Sequence, residues 1–306
     1  MKAVGVVGPD YMVCLFDIDE PAASRGGVVV EVLAASVNDF DRAAVAGRAG
    51  VTDQLDPVLL GRDFVGRVAA VGEGVDYIDV GMYVAGTLEA ARSGTFTNLV
   101  EVPAELLAPV PDGVDVAQAA GVGLAAITAL DAVGALGATN LGTTVIHGLV
   151  TEVGGFAIQL AKARGAVVAA VTPRAHAELA RALGADVVIP EGADATQTIQ
   201  SLRDSFGGGV DNAIHLGGDV SVAAGVVRAG GKFTSVSDNP TPATGSDAEY
   251  VATVVIPNGH KLADLLFKVA AHRLHSHVGR IFSFDQAGDA VHAISNTVGG
   301  RTVLVR

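Results

Sequence analysis

The chain has 306 residues, of which 50% are hydrophobic and 17% charged, with a formal net charge of −13 and a pI near 4.9. This length accommodates two domains with substantial cores, and the acidic balance argues against nucleic acid as a partner, because phosphate backbones require a basic surface. No apolar run reaches the roughly 18 residues of a membrane span, and Met1 leads directly into a strand-like pattern. We therefore expect a cytoplasmic protein that does not bind membranes.

The first part of the chain, up to about residue 110, has the pattern of short strands separated by turns. Val28–Leu33 and Val65–Val71 are predicted strands, and Gly72-Glu73-Gly74 is a turn suited to a hairpin. The single cysteine, Cys14, excludes an intramolecular disulfide, and its apolar neighbours favour a buried, unreactive thiol. A twisted antiparallel sheet or partly open barrel fits this region.

From Asp115 to Gly137 the chain becomes rich in Ala and Leu at helical spacing, and beyond it strands and helices alternate. The predicted strands are 143–147, 167–171, 187–189, 210–215 and 232–236, and the predicted helices are 154–164, 175–183, 196–205 and 220–229. Such alternation predicts right-handed βαβ crossovers and a parallel sheet covered on both faces. This is an α/β, doubly wound domain.

The last 45 or so residues return to a mixed pattern. We predict a helix over 262–271, a strand over 278–282, a helix over 284–295 and a final strand over 302–305. This tail is expected to rejoin the sheet of the first domain.

Seven segments carry a recognisable pattern, and they are 35–41 (ASVNDFD), 61–68 (GRDFVGRV), 71–75 (VGEGV), 94–103 (GTFTNLVEVP), 157–162 (AIQLAK), 183–186 (LGAD) and 300–304 (GRTVL). In this order they resemble segments of the medium-chain dehydrogenase/reductase superfamily, and most closely those of its zinc-free, NADPH-dependent quinone oxidoreductase branch.

The resemblance implies a GroES-like β-barrel domain over 1–115 and 260–306, and a Rossmann domain over 116–259, with the active site in the cleft. It also implies a homodimer joined at a Rossmann sheet edge, for which 250–256 has suitable β-branched residues. The implied ligands are NADPH and a small-molecule substrate.

Zinc-dependent relatives have Cys where this chain has Asn38, and a His within the motif that reads Gly61-Arg62-Asp63 here. A catalytic zinc ion usually needs three protein ligands, so we expect no metal. The histidines 272, 275 and 277 follow a predicted helix beside Arg273, and we interpret them as a solvated helix end rather than as ligands.

A dinucleotide pyrophosphate binds at the amino end of a helix, where free N–H groups and close backbone approach favour an anion. In relatives of this branch, the sequence of that turn is Gly-Ala-x-Gly-Gly-Val-Gly. This chain keeps the first and last glycines as Gly148 and Gly154, retains Val153, and has Thr151 and Glu152 in place of the middle pair. We assign all five residues to the cofactor-binding turn.

Two interpretations of Glu152 stay open. Its carboxylate is a favourable group at the start of a helix, with Thr151 as the capping residue, and the cofactor still binds. In the other interpretation its charge lies near the pyrophosphate at ~5 Å, where an effective dielectric constant of about 20 gives roughly 3 kcal/mol of repulsion and cofactor binding is weakened or lost.

The remaining cofactor contacts are assigned to strand ends and one helix. Thr172 and Arg174 follow a strand at whose end NAD-specific proteins carry a carboxylate. This chain has no carboxylate there, so NADPH is favoured over NADH. Arg174 would pair with the 2′-phosphate, or it is only a surface residue. Gly217 and Gly218 resemble the loop near the nicotinamide ribose. Thr128 matches a position that faces the cofactor, or is an ordinary helix hydroxyl.

Asn38 and Asp41 match the family's Asn-x-x-Asp, and we assign both as catalytic residues. Asn38 would donate its amide hydrogens to a carbonyl oxygen that gains charge as hydride arrives, although an Asx turn explains it equally well. Arg62 and Asp63 are interpreted as a structural pair. The polar loop over 237–247 is either a lid or a disordered excursion.

Three functions are compatible with the sequence. The first is an NADPH-dependent reductase of quinones, enones or similar activated double bonds, without metal. The second is a lyase or cyclase on the same fold that has lost NADPH because of Thr151 and Glu152. The third is a redox-silent binding protein, since a fold alone does not specify chemistry.

Overall fold

The architecture is described from a computed structural model, over residues 1–7, 12–47, 57–89, 94–192, 194–237, 248–293 and 299–306. Its described strands are, in chain order, β1 (Lys2–Val7), β2 (Met12–Asp17), β3 (Gly27–Ser36), β4 (Val58–Leu59), β5 (Asp63–Val71), β6 (Tyr83–Thr87), β7 (Leu99–Pro103), β8 (Leu107–Pro109), β9 (Thr143–His147), β10 (Val167–Thr172), β11 (Val187–Pro190), β12 (Val210–His215), β13 (Val227–Ser235), β14 (Glu249–Tyr250), β15 (Val278–Ser283) and β16 (Arg301–Val305). Its described helices are α1 (Asp39–Val45), α2 (Val116–Ala120), α3 (Gly123–Leu136), α4 (Val153–Ala163), α5 (Ala177–Ala182), α6 (Ala195–Ser205), α7 (Val220–Val226), α8 (Gly259–Ala270) and α9 (Ala287–Ala293).

The chain divides into two compact units, the first formed by Met1–Ile127 and Ile256–Arg306, the second by Thr128–Val255. The first unit extends beyond residue 115, where the sequence suggested a boundary, because α2 packs against β3 and β5 of that unit. The change from a strand pattern to a helix pattern near residue 115 therefore does not coincide with the boundary of the first unit.

The first unit is built on two β-sheets. One has the order β2-β1-β4, and the other the order β15-β16-β3-β5-β6-β8, with β7 also paired to β3. The alternating apolar side chains of these strands form one continuous buried core that includes Val30, Phe64 and Leu304. The final strand β16 pairs antiparallel with β3, which confirms that the tail rejoins the first sheet.

The second unit contains a six-stranded sheet of order β11-β10-β9-β12-β13-β14, in which every paired strand runs parallel. Its central strands are buried along nearly their whole length, as expected for a parallel sheet covered on both faces. The strand order reverses between β9 and β12. Open α/β sheets bind ligands outside the carboxyl ends of the strands at such a reversal, and the predicted doubly wound fold is confirmed.

Two local predictions from the sequence are wrong, and a third is correct only in part. The helix predicted over 220–229 ends at Val226, because Val227 has an extended backbone and begins β13. Cys14 is only partly buried, since β2 is the edge strand of its sheet. The hairpin turn at 72–74 does turn the chain, but β6 follows only at Tyr83.

Two other predicted segments differ in extent from the structure. The β-branched segment predicted over 250–256 is a strand only at Glu249–Tyr250, where it pairs with β13. The predicted helix over 284–295 begins with a short 3-10 turn and is α-helical over α9. Residues 238–247 of the polar loop lie outside the described residues.

Candidate active site and cofactor site

Asn38, which immediately precedes α1, is buried with its side-chain amide engaged on both sides. Its Nδ2 donates to Asp63 Oδ2 at 3.0 Å and to the Ser36 carbonyl oxygen at 3.3 Å, and its Oδ1 accepts from Arg301 Nη2 at 3.0 Å. Donation to a substrate carbonyl would break one of these bonds. The structure therefore favours Asn38 as a positioning residue over the direct contact with substrate predicted from the sequence.

Asp63 is the centre of this buried cluster, which we call the Asp63 cluster and define by Ser36, Asn38, Asp63, Thr87 and Arg301. Its carboxylate accepts from Ser36 Oγ at 2.7 Å, Thr87 Oγ1 at 2.8 Å and the Leu124 backbone N–H at 2.7 Å, in addition to Asn38. Arg301 Nη2 lies 3.5 Å from its Oδ2. Asp63 thus pairs with Arg301, a residue from the last strand that the sequence did not associate with it.

Asp41, the other predicted catalytic residue, is fully buried and holds two backbone groups in place. Its Oδ1 accepts from Gly61 N–H at 2.6 Å and its Oδ2 from Asn38 N–H at 2.8 Å. Burial raises the pKa of its carboxyl from 3.8 to about 6, against the lowering effect of these two N–H groups and of Arg62. Since both oxygens are occupied, the structure assigns Asp41 a positioning role.

Arg62 lies in the motif where zinc-dependent relatives carry a histidine. Its guanidinium stacks over the ring of Phe40 at 3.7 Å, and its Nη1 donates to the Gly61 carbonyl oxygen at 2.9 Å. Burial lowers the pKa of Arg62 to about 10, although Asp41 and Asp63 both favour its charged form. The guanidinium therefore contributes a buried positive charge beside two carboxylates.

The glycine turn after β9 has the close backbone approach that an anion-binding turn requires. Gly148 has a φ of 128°, and a Cβ there would lie 3.0 Å from Leu216 Cβ. A Cβ on Gly154 would overlap the carbonyl oxygen of Leu149. Both glycines that match the family pattern are thus required by the backbone itself.

Thr151 and Glu152 are arranged differently from the sequence prediction. Glu152, not Thr151, is the N-cap residue of α4, and its side chain makes no capping hydrogen bond. Thr151 is 3% exposed, and its Oγ1 has no hydrogen-bond partner among the described residues. Val153 begins the helix, partly exposed. The predicted cap by Thr151 is wrong, because its hydroxyl lies one residue too early and is buried.

The end of β10 shows a second buried hydroxyl. Thr172 is fully buried, and its Oγ1 also has no hydrogen-bond partner in the described part of the chain. Arg174, which opens a short 3-10 helix two residues later, is exposed. A buried hydroxyl without a partner costs about 1–3 kcal/mol, so the hydroxyls of Thr151 and Thr172 are candidates for a contact with a polar ligand at this edge of the sheet.

The loop after β12 and the helix α3 carry the other predicted cofactor residues. Gly217 and Gly218 have φ values of 156° and 88°, so each occupies a conformation that other residues rarely adopt. Thr128 is buried within α3. The structure brings the Gly148 turn and Gly217 together, since a Cβ on Gly148 would lie 3.2 Å from the Gly217 nitrogen.

Three titratable residues at the same edge of the sheet were not predicted from the sequence. His147 and His215 end β9 and β12, and Glu191 directly follows β11. Their positions at the ends of predicted strands were visible in the sequence. That their side chains contact one another depends on which strands are neighbours in the sheet, which the sequence did not show. By contrast, His272, His275 and His277 are exposed, as the prediction of a solvated helix end requires.

Within the described ranges, none of the helices combines the length and apolar character needed to cross a membrane.

Two family models match consecutive parts of the sequence. The "Alcohol dehydrogenase GroES-like domain" model matches residues 24–112, and the "Zinc-binding dehydrogenase" model matches residues 153–265. Among curated proteins, the chain is 34% identical over 245 residues to the "NADPH-dependent alkenal/one oxidoreductase, chloroplastic" of Arabidopsis thaliana, covering 77% of this chain and 61% of that protein. It is 33% identical over 222 residues to the "Mycocerosic acid synthase-like polyketide synthase" of Mycobacterium tuberculosis, covering 71% of this chain.

The chain spans less than two thirds of these curated relatives, and only 10% of the polyketide synthase. Among solved structures, the quinone oxidoreductase from Coxiella burnetii superposes with a TM-score of 0.87 and 25% identity, covering 100% of this chain and 99% of that one. Three findings point to the same family: the two family models, the identity to the curated relatives and the likeness of fold over the full chain. The chain therefore belongs to the medium-chain dehydrogenase/reductase superfamily.

Proposed function

We propose that this protein is an oxidoreductase that uses NADPH to reduce quinones, enones or similar activated double bonds, without a metal ion. The observation that carries the proposal is the carboxyl edge of the second unit's sheet. There, the Gly148 turn and the amino end of α4 lie where open α/β sheets bind ligands, together with the buried hydroxyls of Thr151 and Thr172, which have no hydrogen-bond partner among the described residues.

The residues at this edge fit a dinucleotide. Gly148 and Gly154 would let the backbone approach the pyrophosphate, and the amino end of the eleven-residue α4 would favour its charge. Exposed Arg174 would pair with the 2′-phosphate through its planar guanidinium, which is why NADPH is proposed rather than NADH. Gly217, Gly218 and Thr128 would complete the site. The dinucleotide would supply the hydride.

Metal-free chemistry is proposed because the positions that hold zinc in relatives carry other side chains. Asn38 and Asp63 are bonded to each other and to Arg301, whose guanidinium supplies the positive charge at that place. The relatives support the redox chemistry, since the Arabidopsis protein is named an NADPH-dependent alkenal/one oxidoreductase and the Coxiella structure a quinone oxidoreductase.

The test is a titration with NADPH followed by a turnover assay. The sequence contains no tryptophan, so the fluorescence of NADPH can be followed without tryptophan background. We expect saturable binding and NADPH oxidation in the presence of a quinone or an enone. Failure to bind at millimolar NADPH contradicts the proposal.

One observation favours a second function. Glu152 is the N-cap residue of α4, so a carboxylate-bearing residue stands at the amino end of the helix where the pyrophosphate would bind. If NADPH does not bind, the chain would be a lyase, cyclase or binding protein on this fold. In that case substrate would bind with the same affinity whether or not NADPH is present.

The dimer is also a proposal. β14 forms the edge of the six-stranded sheet, and the chain after it exposes Val254 and Ile256, at 68% and 56% of their surface. A second copy pairing at this edge would cover both side chains. Analytical ultracentrifugation of the wild type and Val254→Lys should show a dimer that the variant weakens, and a monomeric wild type contradicts the proposal.

A further inference from the structure

A chain of three polar side chains crosses the carboxyl edge of the second unit's sheet, beside the proposed cofactor contacts but separate from them. It consists of Glu191, which follows β11, His147 at the end of β9 and His215 at the end of β12, and we call it the Glu191 relay. His147 and His215 are buried, at 0% and 3% exposed, and Glu191 is partly buried. The role inferred for the relay rests on the proposed dinucleotide site.

The relay is continuous. Glu191 Oε1 lies 3.2 Å from His147 Nε2, and His147 Nδ1 lies 3.2 Å from His215 Nδ1, with the two rings 5.2 Å apart between centroids. A carboxylate accepts, so His147 Nε2–H donates to Glu191, and His147 Nδ1 is left to accept from His215 Nδ1–H. Both imidazoles are then neutral. Burial, the leading cause for each, lowers the pKa of His147 and lowers that of His215 to about 4.

The relay forms the floor of both glycine turns. Gly148 directly follows His147, and Gly218 lies so close that a Cβ there would contact Glu191 Oε1 and would be 3.4 Å from His147 Nε2. Asp219, the N-cap residue of α7, faces both histidines, and Glu152 is the N-cap residue of α4, five residues after His147. The ligand-free relay therefore adds a net negative charge where a pyrophosphate would bind, which opposes binding.

The same geometry can accept one proton without losing a hydrogen bond. A proton added at His215 Nε2 allows the proton on His215 Nδ1 to move to His147 Nδ1. His147 is then an imidazolium, donating through Nε2 to Glu191 and through Nδ1 to His215 Nδ1. One proton has entered, each imidazole nitrogen between the rings still has a partner, and the relay's net charge has changed from negative to zero.

We propose that binding of a dinucleotide pyrophosphate at the Gly148 turn is coupled to the uptake of one proton by the Glu191 relay. The ligand's negative charge favours the protonated relay, and the protonated relay no longer repels the ligand. Because the two effects are linked, the affinity for the ligand rises as the pH falls.

The test is calorimetry with ADP-ribose, which carries the pyrophosphate but lacks the 2′-phosphate, a group that titrates near neutral pH itself. Titrations at pH 7 in buffers of different ionisation enthalpy give the number of protons taken up. We expect a value between zero and one, and a Kd that rises by at most about tenfold per pH unit from pH 6 upward.

Two variants separate the relay from other titrating groups. His147→Gln keeps an N–H donor for Glu191 but cannot become charged at that position, so it should bind ADP-ribose with less proton uptake than the wild type and with a Kd that depends less on pH. His260→Gln, which changes an exposed histidine in α8 of the first unit, is the matched control and should behave as the wild type.

The outcomes distinguish this inference from the proposed function. Binding without proton uptake, or equal uptake by His147→Gln, overturns the relay and leaves the dinucleotide site standing. If neither ADP-ribose nor NADPH binds at any pH, both proposals are overturned. Nitrogen-15 NMR of the histidine rings in the free protein gives an independent readout, since the relay requires His147 to be protonated at Nε2 and His215 at Nδ1.

Discussion

The Asp63 cluster and the Gly148 turn differ in how their polar groups are satisfied. In the Asp63 cluster, donors from four side chains and one backbone amide converge on one carboxylate, and Asn38 is bonded on both sides. At the Gly148 turn and the end of β10, buried Thr151 and Thr172 have hydroxyls without partners in the described chain. Buried polar groups are normally paired, so the carboxylate of Asp63 has its partners within the chain, whereas the two threonine hydroxyls are candidates for a contact with a ligand.

The largest effect is expected in the Asp63 cluster. Replacing Asp63 by Ala leaves the buried guanidinium of Arg301 without its carboxylate, and we expect a loss of about 3–5 kcal/mol in the free energy of unfolding. Urea denaturation measures it. Asp39→Ala is the control, because it removes an exposed pair with Arg42 and should change stability by less than about 0.5 kcal/mol. Equal effects of the two variants would contradict the assignment.

The pKa of Asp41 predicts a dependence of stability on pH. Its carboxyl has a pKa raised from 3.8 to about 6 in the folded state, so the folded state binds the extra proton and the contribution is present below pH 3.8. About 3 kcal/mol is then lost as pH rises from about 4 to about 6. Asp41→Asn should lack this loss. Parallel stability curves for variant and wild type over that range would disprove it.

Gly154 tests the second region against a matched glycine. Gly154→Ala brings a methyl group onto the carbonyl oxygen of Leu149, so the turn must move, and we expect NADPH affinity to fall by at least tenfold. Gly134, within α3, has open space where a methyl group would lie, so Gly134→Ala should stabilise the protein by up to about 1 kcal/mol without changing NADPH affinity. Unchanged affinity in Gly154→Ala would argue against this turn as the phosphate site.

The smallest expected effect is on cofactor choice. Arg174→Ala removes an exposed guanidinium from the end of the β10 strand, and we expect NADPH affinity to fall about tenfold while NADH affinity is unchanged. Binding titrations with both dinucleotides measure the ratio. Equal losses for both would mean that Arg174 does not contact the 2′-phosphate.

The strand–helix alternation predicted the second unit well, because periodicity reports which face of each element is buried. The resemblance pointed to Gly148 and Gly154, and the structure shows that the backbone leaves no room for a side chain at either position. Asn38 and Asp41 could not be interpreted so easily. Their roles depend on Arg301, Asp63 and Gly61, which lie up to 263 residues away, and no local pattern shows that their hydrogen bonds are already made.

The Glu191 relay was missed for a related reason. His147, Glu191 and His215 end or follow three different strands, and only the sheet order brings them into contact. Thr151 shows a different limit of prediction from sequence. Threonine is a suitable N-cap residue, but the helix begins one residue later than its position requires. A single residue of register changed a capping hydroxyl into a buried hydroxyl without a partner in the described chain.

The most direct test of this comparison is NADPH binding measured together with stability in two variants, Thr151→Val and Ser36→Ala. Thr151→Val replaces a hydroxyl that has no partner in the described chain, so NADPH affinity should fall severalfold while the free energy of unfolding stays equal or rises. Ser36→Ala removes a hydroxyl bonded to Asp63 and should lower stability by about 1–3 kcal/mol without altering NADPH affinity. The reverse pattern, or a wild type that does not bind NADPH, would contradict the contrast between the two regions.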